Sequence, residues 1–463
     1  MRKLLAFSAV WMTLAIAAQS TWAEPAGKTF TKDVAPILFK NCVACHRPGE
    51  VAPMSLLDYE TVRPWAKSIR KAVLSRKMPP WFADPAFGAF ANDPRLSDQE
   101  ISTIKAWVDG GSPEGDPRDL PPKPAFVEGW KLGKPDIVID IGQDFAVAPG
   151  NDAYEYFTVP TNFTEGKWIR AAEILPGNRQ VVHHVHVSLV MENNKVDGAD
   201  SKTTAFRTQT GQFWEVKVGL SRVRLDAPVV DDACANAPTE LQNLSGFEEG
   251  SFTAMLPGKA PDVFGDKTPK WIPAGAKLRF QVHYAKVETP QTDRTRVGFY
   301  LASRPPERPM RRFDLRNRYF LIPAGAANHE VKRCYEFESD KLLVSITPHM
   351  HYRGKDARYE LVRPNGRRET LLYVSPYNFE WQLLYRFREP IYVEKGSRMI
   401  VTFHYDNSPN HRGNPDPTQV VRWGDRSEDE MMTSWIEYLD AGPSSFSRQT
   451  VTETAARARP AGP

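Results

Sequence analysis

The chain has 463 residues, 25% of them charged and 41% hydrophobic, with a formal net charge of +4. Acids and bases are interspersed, which leaves no concentrated basic face for nucleic acid, and the length predicts about three domains.

Residues 1–23 open with Arg2 and Lys3, continue through an apolar run from Leu4 to Ala18 and end in small residues at Ala23. That is the layout of a secretory signal peptide cut after Ala23. The run is shorter than the about 20 apolar residues a spanning helix needs. No second candidate span follows, so the expectation is an exported, periplasmic, soluble protein.

Residues 28–111 read as a small all-α domain. TFTKDVAPILFKNCVACH and DYETVRPWAKSIRKAVLSRKMPP carry apolar positions at helical spacing. LSDQEISTIKAWVDGG opens on a capping box, Ser97 with Glu100, and closes on Gly110-Gly111. Within this region CVACH sets Cys42 and Cys45 one helical turn apart, where two thiols can add to the vinyl groups of a haem. His46 is then held beneath the iron as an axial ligand. No second cysteine pair lies nearby to complete a zinc site. His46 is the domain's sole histidine, so the second axial ligand falls to Met54 or Met78. Met78 is preferred because the prolines of SRKMPPW stiffen its loop and Trp81 could pack on the haem, leaving Met54 as pocket packing. The region resembles small class I c-type cytochromes, which implies covalently bound haem c serving electron transfer.

Residues 112–129 form a linker; SPEGDPRDLPPKP holds five prolines among charged residues, the composition of a semi-rigid extended spacer. From Trp130 to Tyr438 short β-branched and aromatic runs alternate with Pro/Gly/Asn turns, which predicts antiparallel sandwiches. Two are expected, 130–304 and 305–441, divided where Pro305, Pro306 and Pro309 preclude a central strand. Residues 442–463, small, polar and basic, read as a disordered tail. Cys234 and Cys334 are either a disulfide, as export permits, or two buried thiols.

Nine histidines lie in the β region. In KLRFQVHY the apolar Leu278, Phe280 and Val282 alternate with Arg279, Gln281 and His283, so His283 belongs to the polar face. His349 and His351, two apart in PHMHY, share one strand face and can grip one metal. In VVHHVHVSLV strict alternation pairs His184 with His186 and sends His183 toward Val185 and Val187.

A His-His pair on a strand, a later FQVHY segment, an HxH and a DEM about 80 residues on resemble the copper type II ascorbate-dependent monooxygenases. That family includes the peptidylglycine α-hydroxylating and dopamine β-monooxygenases, and the resemblance spans Trp130 to Tyr438. It implies two jelly-roll domains, each with one copper. The first copper would be held by His183, His184 and His283, which requires a bulge beside the adjacent pair; His186 becomes a neighbour. The second, catalytic copper would be held by His349, His351 and Met431, a thioether favouring Cu(I). Met432 competes with Met431 for that role. His329, His404 and His411 have no counterpart among the family's ligands. The peptide-amidating members hold a substrate carboxylate with Arg, Asn and Tyr where this chain has Thr347, Thr433 and Trp435, which disfavours a C-terminal glycine peptide.

The function implied is hydroxylation of a small organic or peptide-like substrate by O2. Electrons would reach the two coppers through the chain's own haem, which exchanges them with an external donor or acceptor. A haem/copper electron-transfer or copper-handling protein without hydroxylase activity is the alternative. A haem-tagged carbohydrate- or peptide-binding protein with structural histidines is the third reading.

Overall fold

The computed structural model describes residues 27–442, except 51, 53, 151–152, 191–203, 208–213, 219–220, 225–250, 257–258, 286, 319 and 425. The expected signal peptide, the tail beyond Gly442 and Cys234 therefore lie outside the described residues. Cys334 is buried.

The helical unit comprises Phe30–Val34, Ala35–Asn41, Tyr59–Val62, Ala66–Leu74 and Asp98–Asp109. Its apolar stripes converge on Phe30, Val34, Leu38, Val62, Ile104 and Trp107, as amphipathic helices must when they share one core. The capping box is present: Ser97 Oγ accepts the Glu100 N–H, and the Glu100 carboxylate accepts the Ser97 N–H. Ser97→Ala is expected to lower the stability of this unit by about 1 kcal/mol, measurable by urea denaturation. The proline-rich segment is less of a free spacer than its composition predicts. Phe30 N–H donates to Pro113 O and Thr31 N–H to Glu114 O, and Trp107 Nε1 donates to Pro113 O. Lys123 pairs with Asp58, so the segment's first half folds back onto the helices.

The segment from Trp81 to Asn92 leaves the helical unit and straps onto the second sandwich. Asp84 N–H donates to Tyr373 O, Ala91 N–H to Arg386 O and Arg388 N–H to Ala89 O. Trp81 thus belongs to the sandwich core, its ring 4.8 Å from Tyr385 and 5.8 Å from Phe90. The expectation that Trp81 packs on a haem is corrected: the aromatic pocket that buries it is built by Phe90 of the same strap and by Tyr385 of the second sandwich, about 300 residues away in sequence.

Two pairs of antiparallel sheets follow. In the first pair, one sheet orders Ile137–Asp140, Arg296–Leu301, Lys167–Leu175 and Asp262–Val263. The other orders Ala153–Pro160, Lys277–Tyr284, Val182–Val190 and Ser251–Met255. Val185, Val187, Leu278, Phe280, Val282 and Phe299 fill the space between them, which is the alternation read from the sequence. In the second pair, Arg311–Asn317, Met432–Asp440, Lys341–His349 and Tyr385–Val393 form one sheet. His329–Glu336, Arg398–Tyr405, Gly354–Val362 and Arg368–Val374 form the other. The chain is thus mostly β with few helices. His329 opens a strand.

A buried ion pair crosses between the sandwiches. Lys270 Nζ, on the first, lies 2.7 Å from Glu437 on the second, and Ser345 Oγ donates to the same carboxylate at 2.7 Å. Burial opposes the Glu437 charge, but Lys270 and Ser345 prevail and bring its pKa down to about 2. Among the described residues no helix is long and apolar enough to cross a membrane.

Candidate metal centres

The Val182–Val190 strand pairs in register with Lys277–Tyr284 from Val190 to His184, where His184 faces His283. The register then slips, so that Tyr284 faces Val182. His183 is the extra residue of a β-bulge, which turns two neighbouring side chains to one side of the sheet. The consequence is a convergence of three rings. Nδ1 of His183 lies 3.1 Å from Nδ1 of His184 and 3.2 Å from Nδ1 of His283, and the remaining edge of the triangle is 3.3 Å. Among the described residues these three form a group able to hold a metal ion.

The geometry fits a metal. A triangle of this size puts its centre about 1.8 Å from each nitrogen, close to the about 2.0 Å of a metal–imidazole bond. His184 is buried, and burial first, then the neighbouring histidines, holds it well below its ordinary pKa and neutral. A single shared N–H cannot satisfy all three edges of such a triangle, whereas one cation can take a lone pair from each ring, and imidazole suits copper. Tyr154 stacks flat on His283 at 4.3 Å and fixes its ring plane.

His186 does not join this triangle. Its ring stands 5.5 Å from that of His184 and 5.4 Å from that of Trp435 on the second sandwich. It is buried, and its Nδ1 has no hydrogen-bond partner.

On the second sandwich, the strand ending at His349 pairs with Met432–Asp440, with His349 opposite Thr433 and Thr347 opposite Trp435. The rings of His349 and His351 are 5.2 Å apart. His349 Nδ1 bonds Gln382 Oε1 at 2.8 Å, and His351 Nδ1 donates to the Asp429 carbonyl at 3.1 Å. A carbonyl can only accept, so His351 keeps its lone pair on Nε2. This is the pattern by which outer partners orient metal-binding imidazoles. Met432 is fully buried in the sandwich core, whereas Met431 is partly exposed.

Glu430, which sequence reasoning passed over, organises this corner. Its buried carboxylate accepts the N–H groups of Arg353 at 2.6 Å, His351 at 2.8 Å and Met431 at 3.3 Å. Burial pushes its pKa up to about 8 against those donors and the Arg353 guanidinium. One carboxylate thus ties the HxH segment to the methionine. Its place beside Met431 in SEDEMM was the available signal. His404 bonds Asp356 and His411 donates to Tyr352 O, so both are satisfied structurally.

In the helical unit Cys42 and Cys45 are free thiols, and burial pushes Cys42 up to about 12. His46 is half buried, with a buried Nδ1 lacking a hydrogen-bond partner, and its ring meets the Met54 backbone. Met78 lies in the half-buried turn after Leu74. A cavity of about 200 Å³ has Ala44 and Glu50 on one wall and Val182 and His183 on the other. Arg179, 3.2 Å from Glu50, joins the helical unit to the first sandwich there.

Burial holds His186 and His351 down to about 3 and His349 to about 4. The unfolded chain takes up protons at these rings near pH 6.5 while the folded chain does not, so stability rises with pH between about 4 and 6.5. The metal-free protein is therefore expected to melt at progressively lower temperature as pH falls through that window. His186→Phe, which loses no hydrogen bond at Nδ1, is expected to flatten the trend in a pH series of thermal melts.

A convergent three-imidazole cluster lies on one β-sandwich, and on the other an HxH segment shares the Glu430 carboxylate with the backbone of Met431. Residues 319–459 match the family described as copper type II ascorbate-dependent monooxygenase, C-terminal domain, which supports that family for this part of the chain. No curated protein matches the chain. A solved structure of PNGF-II is similar at 9% identity and a TM-score of 0.26, over 66% of this chain and 65% of that one. The chain thus spans a little under two thirds of that structure's length. A structure of infectious bursal disease virus, Gx strain, is similar at 10% identity and a TM-score of 0.18, over 69% and 75% respectively. Likenesses at these scores carry no argument about fold or function.

Proposed function

We propose that the chain is an exported, periplasmic dicopper monooxygenase that hydroxylates a C–H bond of a small organic or peptide-like substrate. The observation that carries this reading is the Nδ1 triangle of His183, His184 and His283, joined on one chain to a region matching a copper monooxygenase domain. The two sheet pairs would be the family's jelly-roll domains, and the helical unit a class I cytochrome c domain. Copper supplies one-electron redox chemistry and O2 activation when bound.

The protein's own groups do the positioning. His183, His184 and His283 would hold the first copper through Nδ1. His349 and His351 would hold the second through Nε2, with Met431 as the sulfur ligand. Gln382 and the Asp429 carbonyl fix those two rings, and Glu430 fixes the backbone that spaces them. Cys42, Cys45 and His46 would carry haem c, with Met78 as the further ligand to its iron. The cavity between the CVACH turn and His183 supports electron entry from the haem to the first copper.

Thr347, Thr433 and Trp435 stand where the peptide-amidating members hold a substrate carboxylate, so a C-terminal glycine peptide is disfavoured. Reduced, copper-loaded protein incubated with a substrate panel under ¹⁸O₂ is expected to place label in one hydroxylated product. Oxygen uptake that no substrate stimulates, with reversible haem and copper redox changes, would support the electron-transfer alternative instead.

A further inference from the structure

Three consecutive ring contacts join the two candidate metal centres. His184 meets His186 edge to face at 5.5 Å, His186 meets Trp435 at 5.4 Å, and Trp435 meets His349 at 5.2 Å and 32°. All three fall within the 4.5–7 Å range of aromatic pairs in contact. The path therefore crosses from one sandwich to the other through neighbouring π-systems.

Its middle member has no better explanation. His186 is not part of the Nδ1 triangle, and its Nδ1 is buried without a partner. A buried polar atom left unpaired costs free energy, so a leucine or phenylalanine would serve packing alone at least as well. Trp435 is anchored from behind by the Arg312 guanidinium, 5.5 Å from its ring. Its strand pairing opposite Thr347 holds it two residues from Thr433, the partner of His349.

We propose that His186 and Trp435 form the electron relay between the His183/His184/His283 centre and the His349/His351/Met431 centre. This rests on the two-copper reading above. One electron passes along the rings: the first copper is oxidised from Cu(I) to Cu(II), the second is reduced from Cu(II) to Cu(I), and no bond or proton moves in the relay. His186 and Trp435 are positioning residues here, touching no reacting atom.

The test uses the whole chain loaded with Cu(II), with copper per chain counted first. A photoreleased one-electron donor then supplies one equivalent, and rapid-freeze EPR follows redistribution of the Cu(II) signal between the two centres. Trp435→Phe and His186→Phe, which keep a ring, are expected to redistribute at nearly the unsubstituted rate. Trp435→Leu and His186→Leu are expected to slow it at least about tenfold, with two coppers bound and both Cu(II) spectra unchanged. Trp435→Leu holding two coppers and redistributing at the unsubstituted rate would overturn the relay alone. An unsubstituted chain holding fewer than two coppers would overturn the two-copper reading and the relay with it, and the metal count separates those cases.

Discussion

Replacing His184 by alanine is expected to lower bound copper from two per chain to one and to cut substrate-dependent oxygen consumption by more than about 100-fold. Loss of outer partners of metal ligands alone costs about 10–100-fold, and His184 is a proposed direct ligand. Its Nδ1 lies 3.1 Å from that of His183 and 3.3 Å from that of His283. Without it, two imidazoles remain beside a buried void. Copper at the second site should persist, because Gln382, Asp429 and Glu430 order that corner from the other sandwich. His404→Ala is the matched control: His404 is held by Asp356, so both coppers should remain. Metal analysis of purified variants and an oxygen electrode make both measurements.

Lys270→Met is expected to destabilise the chain by about 3–5 kcal/mol, the cost of leaving a buried charge without its partner. Lys270 and Glu437 are both buried, and their 2.7 Å contact crosses between the sandwiches. Glu437 is held down to about 2 by Lys270 and Ser345, so the pair's contribution is present above the unfolded carboxylate's pKa of about 4.3 and fades as pH falls toward 2. The double change Lys270→Met, Glu437→Gln should recover most of the loss, since Ser345 can still bond the amide. Urea denaturation of the two variants distinguishes a charge effect from simple loss of packing.

Local alternation made the strands legible: Leu278, Phe280 and Val282 face the core as read, with His283 on the opposite side. The capping box at Ser97 was equally local. Alternation placed His184 and His186 on one face, where their rings meet at 5.5 Å; what it misassigned was His183, which turns to His184 and His283 rather than toward Val185 and Val187. Which histidine leaves the pleat depends on the register of Val182–Val190 against Lys277–Tyr284, a contact about 100 residues away in sequence, so periodicity could not supply the bulge at His183. Only the family resemblance pointed to it. Trp81 failed for the same reason in reverse: it sits in helical-domain sequence, yet its burial is provided by Phe90 and Tyr385. Glu430 was hidden among charged neighbours, and only tertiary structure reveals that its carboxylate ties His351 to Met431. The contact between His186 and Trp435 lies across two sandwiches and has no signature in either strand.

The central claim is two copper centres of different ligand type on one chain. X-ray absorption of the Cu(I)-loaded protein, with copper counted per chain, tests it most directly. Two coppers per chain are predicted, with imidazole scattering at both and a sulfur scatterer at one that disappears in Met431→Ile. One copper or none per chain, or two coppers with no sulfur scatterer, would contradict the account.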